Sequence, residues 1–173
     1  MKRFIWIVFC SLQIVWVYAE DATFRYDLSH LTIESDVPKT IIIPLTLPIG
    51  AKPLEMMWIP AGSFRMGTQE YEQDRGFDEE LHEVTISKPF YIGKYEVTQA
   101  QWVSVMETNP SYFQGDNHPV DSVSWNDCQE FIKKINQYEF GEFFLLTEAQ
   151  WEYAYRAGTE TRFYWGDDPY YSE

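Results

Sequence analysis

Apolar positions change their spacing several times along the chain, and those changes divide it into short elements. Phe4–Val17 is a largely apolar run interrupted by Gln13. The stretch Ile41-Ile42-Ile43-Pro44-Leu45-Thr46-Leu47-Pro48 is β-prone, but Pro38, Pro44, Pro48 and Pro53 punctuate it. A proline has no N–H to give a ladder, so a central strand is excluded and an extended linker or an edge strand fits. Leu54–Ile59 reads as the first full strand, ended by Pro60-Ala61-Gly62. Ser63–Gly67 follows as its expected hairpin partner, with Gly62 in the turn and Gly67 where the backbone leaves the sheet. Glu83–Ile86 reads as a further strand, and Pro89–Thr98 as two short β segments around a Gly-Lys turn.

Three helices announce themselves by their caps. Thr98 with Gln101 forms a capping box for a helix reaching about Glu107, with Ala100, Val103 and Met106 inward and Asn109-Pro110-Ser111 closing it. Ser124 caps the next, with Asp127 in the first turn, where a negative charge suits the helix dipole. Its apolar stripe is Trp125, Cys128, Phe131, Ile132 and Ile135. Thr147 with Gln150 opens the third, which carries Trp151, Ala154 and Tyr155 on one face until Gly158 offers a left-handed stop. An aromatic-glycine turn, Phe163-Tyr164-Trp165-Gly166, and Asp167-Asp168-Pro169 come next. Short strands, three capped helices and long loops indicate an α+β domain with little regular secondary structure.

Composition adds a compartment. Residues 1–19 read as a secretory leader: Lys2 and Arg3 supply the positive start, Phe4–Val17 the apolar run, and Val17-Tyr18-Ala19 a small-residue site before Glu20. The run falls short of the roughly 20 residues that span a bilayer, so no stable membrane span is expected and the protein is read as exported. Residues 20–53 form the Pro-punctuated linker or edge segment, and 54–173 the domain. The formal net charge is -14, and removing the leader takes away two basic residues and no acid. Such a balance excludes a nucleic-acid partner, which needs a basic face. Of the 2 cysteines, Cys10 leaves with the leader, so no intrachain disulfide can form around Cys128.

The candidates for chemistry each have a plainer reading. Glu70, Glu72, Asp74, Asp78, Glu79, Glu80 and Glu83 are numerous enough for calcium, yet no D-x-D-x-D-G loop is present, and a solvated loop is expected. His82 has no second ligand nearby and reads as a structural hydrogen-bonder. Glu96, between apolar neighbours, is expected to be buried in a structural ion pair. Cys128 reads as a small core residue, and Asp127 with His118 lacks a serine nucleophile motif. No catalytic, cofactor-binding or metal-ligating residue is assigned.

The stretch Leu145–Asp168, LLTEAQWEYAYRAGTETRFYWGDD, resembles the T-E-A-E-W-E-Y-A-x-R-G-G … W-G-D signature of the formylglycine-generating enzyme (sulfatase-modifying factor) family. Trp58–Gly67 resembles its W-I-P-x-G-x-F-x-M-G opening, Pro89–Thr98 its P-F-Y-x-x-x-Y-E-V-T, and His118–Cys128 its H-P-V-x-x-V-S-W-x-D-A, with Cys128 where alanine is usual. The chain departs from the pattern at Phe144-Leu145-Leu146-Thr147-Glu148, where the family has R-L-P-T-E, and at Glu80, where it has proline before the histidine. The resemblance implies an irregular α+β fold distantly similar to C-type lectins. It also implies a copper- and oxygen-dependent oxidase that turns a cysteine of a sulfatase-type polypeptide into formylglycine. Calcium is a further family cofactor. The cysteine pair that does this chemistry, and the calcium ligands, would fall beyond Glu173, so no cofactor is expected within this chain. Two alternatives stand beside the oxidase: a non-catalytic extracellular binding or scaffold module, and an iron-dependent sulfur chemistry of the ergothioneine-synthase type. The latter fits poorly, since no H-x-x-x-H pattern occurs.

Overall fold

The computed structural model describes residues 14–17, 37–72 and 75–168. Most of the expected leader, Cys10, Asp74 and Pro169 lie outside the described residues. The described residues divide into two compact units, one built from 14–17, 37–59 and 89–145, the other from 60–72, 75–88 and 146–168.

The larger unit holds a five-stranded sheet. Its strands are β1 (Ile14–Val17), β2 (Thr40–Ile43), β3 (Leu54–Ile59), β6 (Phe90–Gly93) and β7 (Glu142–Leu145), in the order β2-β3-β6-β1-β7. Every pairing is antiparallel. Thr40–Ile43 lies at the edge, as its flanking prolines require. Residues Ile14–Val17, part of the expected leader, run between β6 and β7. Helices α1 (Gln99–Met106) and α2 (Trp125–Ile135) pack in the same unit. Both begin with the expected reciprocal capping boxes, Thr98/Gln101 and Ser124/Asp127. Trp102 stacks on Phe131 with ring centroids 5.1 Å apart, and Leu54, Met56, Tyr91, Ile135 and Phe143 complete a closed core.

Three readings of this unit are corrected. The inward face of α1 is Ala100, Trp102 and Val105, while Val103 is 37% exposed; the large indole at 102 sets the helix phase. Trp125 is 65% exposed, because at the first helical position it sits outside the stripe that Cys128, Phe131, Ile132 and Ile135 bury. After Gly93 the chain does not form a second strand. Lys94 extends the β3 pairing by one bond, N–H to Glu55 carbonyl at 2.9 Å, and Val97 is then held by the N–H of Val120. β7 was not anticipated. Asn136, in a short 3-10 turn, anchors it by taking the Phe143 N–H (2.8 Å) and giving to its carbonyl (3.0 Å).

Tyr91 shows how burial sets a titration. Its hydroxyl donates to the Pro38 carbonyl at 2.7 Å, and burial pushes its pKa up to about 12. The folded protein therefore keeps this proton where the unfolded chain loses it, near pH 10. The stabilisation is complete below that pH and lost as pH rises through about 12. Alkaline unfolding followed by circular dichroism should show this dependence in the wild type and less of it in Tyr91→Phe.

The smaller unit pairs β4 (Gly62–Met66) with β5 (His82–Ile86) along five register positions, Gly62↔Ile86 to Met66↔His82, and adds α3 (Glu148–Arg156). The expected hairpin of residues 54–59 with 63–67 is thus overturned. Both edges of β3 are taken, by β2 and β6, and Gly62 lies inside a strand instead of a turn. A Cβ there would lie 2.5 Å from the Tyr153 hydroxyl, so a larger residue would make the tip of that side chain shift. The Thr147/Gln150 capping box opens α3 as expected. Its left-handed terminus begins one residue early, at Ala157 (φ 48°), with Gly158 (φ 85°) continuing it.

Candidate functional site

The signature residues of the smaller unit converge on one residue, Gly67, and hold the peptide groups on both sides of it. Gly67 follows β4 with φ 100°, and a Cβ there would lie 2.7 Å from the Glu80 carbonyl oxygen. Only glycine suits that turn. One helical turn apart on α3, Glu152 and Arg156 grip it from both sides. The Gly67 N–H donates to Glu152 Oε1 (3.0 Å), and Arg156 Nη2 donates to the Gly67 carbonyl (2.7 Å). Arg156 also pairs with Glu152 Oε1, through Nε at 2.8 Å and Nη2 at 2.7 Å, and reaches the Thr161 carbonyl through Nη1 at 3.4 Å. The planar fork lets one side chain span the helix, the glycine turn and the following loop. The W-E-Y-A-x-R spacing is therefore a backbone clamp.

Beside the clamp lies a cleft of about 120 Å³, lined by Ser63, Arg65, Gln69, Glu72, Arg156 and Thr161 among others. Glu72 sits on its wall with a 15% exposed side chain, its Oε1 3.2 Å from Arg162 Nε. Burial pushes this carboxyl above the ordinary glutamate range, opposed by the Arg162 charge. Glu72 is thus a correction to the solvated-loop expectation: it is enclosed by the segment that follows α3. Arg162 also lies over the Phe163 ring, 5.3 Å from its centroid. The turn beyond is closed by reciprocal bonds between Phe163 and Gly166, and Arg162 N–H donates to Asp167 Oδ1 at 2.9 Å. Stacked Phe163 and Trp165, 4.8 Å apart, cover it. The cleft offers the Glu72 carboxyl, two guanidinium groups and the hydroxyl groups of Ser63, Thr159 and Thr161.

The larger unit has an open hollow of about 350 Å³ lined by Lys52, Lys94, Tyr95, Glu96, Thr98 and Asn117, with Pro119. Lys52 and Lys94 flank the Tyr95 ring at 5.2 and 5.3 Å, and Lys94 is paired with Glu55 at 2.9 Å. Glu96 faces this hollow half-exposed, and among the described residues it has no ion pair, so its expected burial is corrected. Val97 and Thr98, not Glu96, are the residues that turn inward before α1.

The remaining residues weighed in the sequence stay apart. His82 is exposed on β5, its Nδ1 2.7 Å from the Glu80 carbonyl oxygen, a structural contact as expected. His118 is exposed, its ring packed against Gly115. Asp127 bonds the Ser124 hydroxyl and N–H, which hold its carboxyl below the usual range. Cys128 is buried at 2% exposure in the core. Among the described residues no three His, Cys, Asp or Glu side chains gather as a metal centre would require. The clamp and the Glu72–Arg162 pair were missed, although a Glu and an Arg at i and i+4 were visible as a helix pair.

A mixed fold of short elements, with its W-E-Y-A-x-R helix locked onto the M-G turn, defines the class. The chain belongs to the sulfatase-modifying factor family: the model of the "Sulfatase-modifying factor enzyme 1-like domain" matches residues 49–173. Similar proteins include the "Chaperone protein LppX" of Paenibacillus barcinonensis, 40% identical over 44% of this chain and 24% of its own. The formylglycine-generating enzyme of Mus musculus is 31% identical over 50% of this chain and 21% of its own. The chain thus matches about a quarter or less of the length of these relatives. Among solved structures, PvdO from Pseudomonas aeruginosa superposes with a TM-score of 0.60 at 31% identity, over 76% of this chain and 59% of that one. Treponema denticola variable protein 1 shares the fold, with a TM-score of 0.58 at 22% identity, over 73% and 60%. The expected fold class, α+β of the formylglycine-generating type with low regular secondary structure, holds. Among the described residues no helix is long and apolar enough to cross a membrane.

Proposed function

We propose that this chain supplies the N-terminal part of an exported formylglycine-generating-type oxidase acting on a cysteine of a sulfatase-type polypeptide. The observation that carries this reading is the family match over residues 49–173, together with relatives named as formylglycine-generating enzymes. In this reading the described residues are scaffold. The clamp on Gly67 fixes the signature helix, and the copper and the reactive cysteine pair belong to the rest of the domain. Soft thiolates suit Cu(I), and molecular oxygen is the oxidant.

The test begins with the nucleotide sequence past the codon for Glu173. The expected frame continues into a cysteine pair, and its copper-loaded product forms an aldehyde, captured by a hydrazide probe, on a cysteine peptide from a sulfatase. A stop codon directly after Glu173, or a loaded product that leaves the peptide thiol intact, overturns the oxidase. The second reading, a non-catalytic extracellular binding module with a lectin-like fold, is favoured by the relative that carries the name of a chaperone. A continuing frame that lacks the cysteine pair would select it.

A further inference from the structure

The open hollow of the larger unit carries two charges that the fold does not use. Lys94 Nζ is answered by Glu55 Oε2 at 2.9 Å, so that pair cancels. Among the described residues, Lys52 and Glu96 form no ion pair with each other or with any other group, although both line the same hollow. Lys52 Nζ lies 5.2 Å from the centroid of the half-exposed Tyr95 ring, a contact that holds the ammonium in place and leaves its charge uncancelled.

The backbone beneath these side chains is pinned. Lys52 N–H donates to Asn117 Oδ1 at 2.7 Å, and the Lys52 carbonyl accepts from Gln101 Nε2 at 3.0 Å. Gln101 is fully buried, and its Oε1 takes the Thr98 N–H at 3.0 Å. Asn117 Nδ2 donates back to the Gly50 carbonyl at 3.2 Å, and Lys94 N–H is bonded to the Glu55 carbonyl. A ligand therefore meets walls already ordered by the fold and is spared the cost of fixing them. At about 350 Å³ the hollow stands at the small end of the range of about 300–1,000 Å³ usual for small-molecule sites.

We propose that this hollow binds a small zwitterion of amino-acid or dipeptide size, its carboxylate on Lys52, its ammonium on Glu96 and its body against Tyr95. Charge balance selects the class. With Lys94 and Glu55 cancelling, the walls present one positive and one negative group. A plain anion would gain Lys52 and be repelled by Glu96, and a plain cation would meet the converse, so each loses on one wall what it gains on the other. A zwitterion satisfies both at once. The site stands whether or not the complete domain is an oxidase.

Glycine and glycylglycine, titrated into the isotope-labelled full chain and followed by amide magnetic resonance, test the site. One or both are expected to shift the signals of Lys52, Lys94, Tyr95, Glu96 and Asn117 together. The tighter of the two sets the ligand's length, glycine for a free amino acid and glycylglycine for a dipeptide. Acetylating the amine or amidating the carboxylate of that probe should weaken binding roughly tenfold, the worth of one charge-assisted hydrogen bond. Lys52→Met removes the carboxylate's partner alone, so the amidated and parent probes should bind it alike while acetylation still weakens binding. Glu96→Gln should reverse that pattern. Neither side chain carries an ion pair among the described residues, so both variants are expected to melt like wild type. If one does not, the blocked probes on the wild type still decide. No shift at these residues with either probe, equal binding of blocked and parent probes, or tighter binding of inorganic sulfate than of either probe overturns the site.

Discussion

Arg156→Ala is expected to cost about 3 kcal/mol or more and to release the Gly67 turn from α3. Glu152 and Arg156 are 19% and 15% exposed, so their pairing is largely withdrawn from water. Removing one partner of an enclosed pair leaves the other charge uncompensated, which costs roughly 3–5 kcal/mol when burial is complete. The remaining exposure places this pair at the low end. Arg156→Lys keeps the charge but cannot reach Glu152, the Gly67 carbonyl and the Thr161 carbonyl at once, so an intermediate loss is expected. Glu152→Gln retains an acceptor for the Gly67 N–H and should be milder than Arg156→Ala. Urea unfolding of the three variants and the Glu152/Arg156 double variant measures the coupling. A loss below about 1 kcal/mol for Arg156→Ala would show that the clamp is incidental.

The polar clamp matters because little else holds its surroundings. Among the described residues of the smaller unit, Ile86 is the one buried hydrophobic side chain, and α3 has none. Phe64 and Tyr153, with ring centroids 5.3 Å apart, and stacked Trp151 and Tyr155 at 5.1 Å remain half-exposed. Geometry is therefore set by directed bonds to backbone groups, each adding about 1 kcal/mol, more where a charge is involved.

Features written in adjacent residues were legible in the sequence. All three capping boxes stand where Thr98/Gln101, Ser124/Asp127 and Thr147/Gln150 placed them, because each closes within four residues. Leu54–Ile59 begins and ends as its flanking prolines indicate. What failed was partner choice. Residues 62–66 follow residues 54–59 closely enough to suggest a hairpin, yet a strand with both edges occupied cannot take a third neighbour, and that occupancy depends on residues far along the chain. The clamp is of the same kind. Gly67 and Arg156 are 89 residues apart, and neither alone signals the other. Glu96 failed for a local reason: apolar neighbours in sequence do not bury a side chain where the chain turns to enter a helix.

Gln99→Leu is the second change expected to be severe, at roughly 2–4 kcal/mol, the desolvation cost of several buried groups left without partners. Gln99 is 1% exposed, and its amide is saturated. Nε2 donates to the carbonyls of Phe113 (2.6 Å) and Pro119 (3.2 Å), while Oε1 accepts from Asn109 Nδ2 (2.9 Å) and Gly115 N–H (3.0 Å). One side chain thus ties four points of the 109–119 loop to the first turn of α1. Leucine fills the volume and abandons all four. Gln99→Glu separates shape from bonding, because its carboxylate would face two carbonyl oxygens that need a donor. Burial and those oxygens raise the carboxyl pKa in the folded state above its unfolded value, so the folded protein binds the extra proton. Stability of Gln99→Glu should then rise as pH falls through that raised pKa, opposite to the Ser124-bonded Asp127, whose lowered carboxyl makes the wild type lose stability with acid. Thermal unfolding of both variants between neutral and mildly acidic pH distinguishes the cases. A Gln99→Glu protein as stable as wild type at neutral pH would mean that the four bonds follow the loop's shape and do not set it.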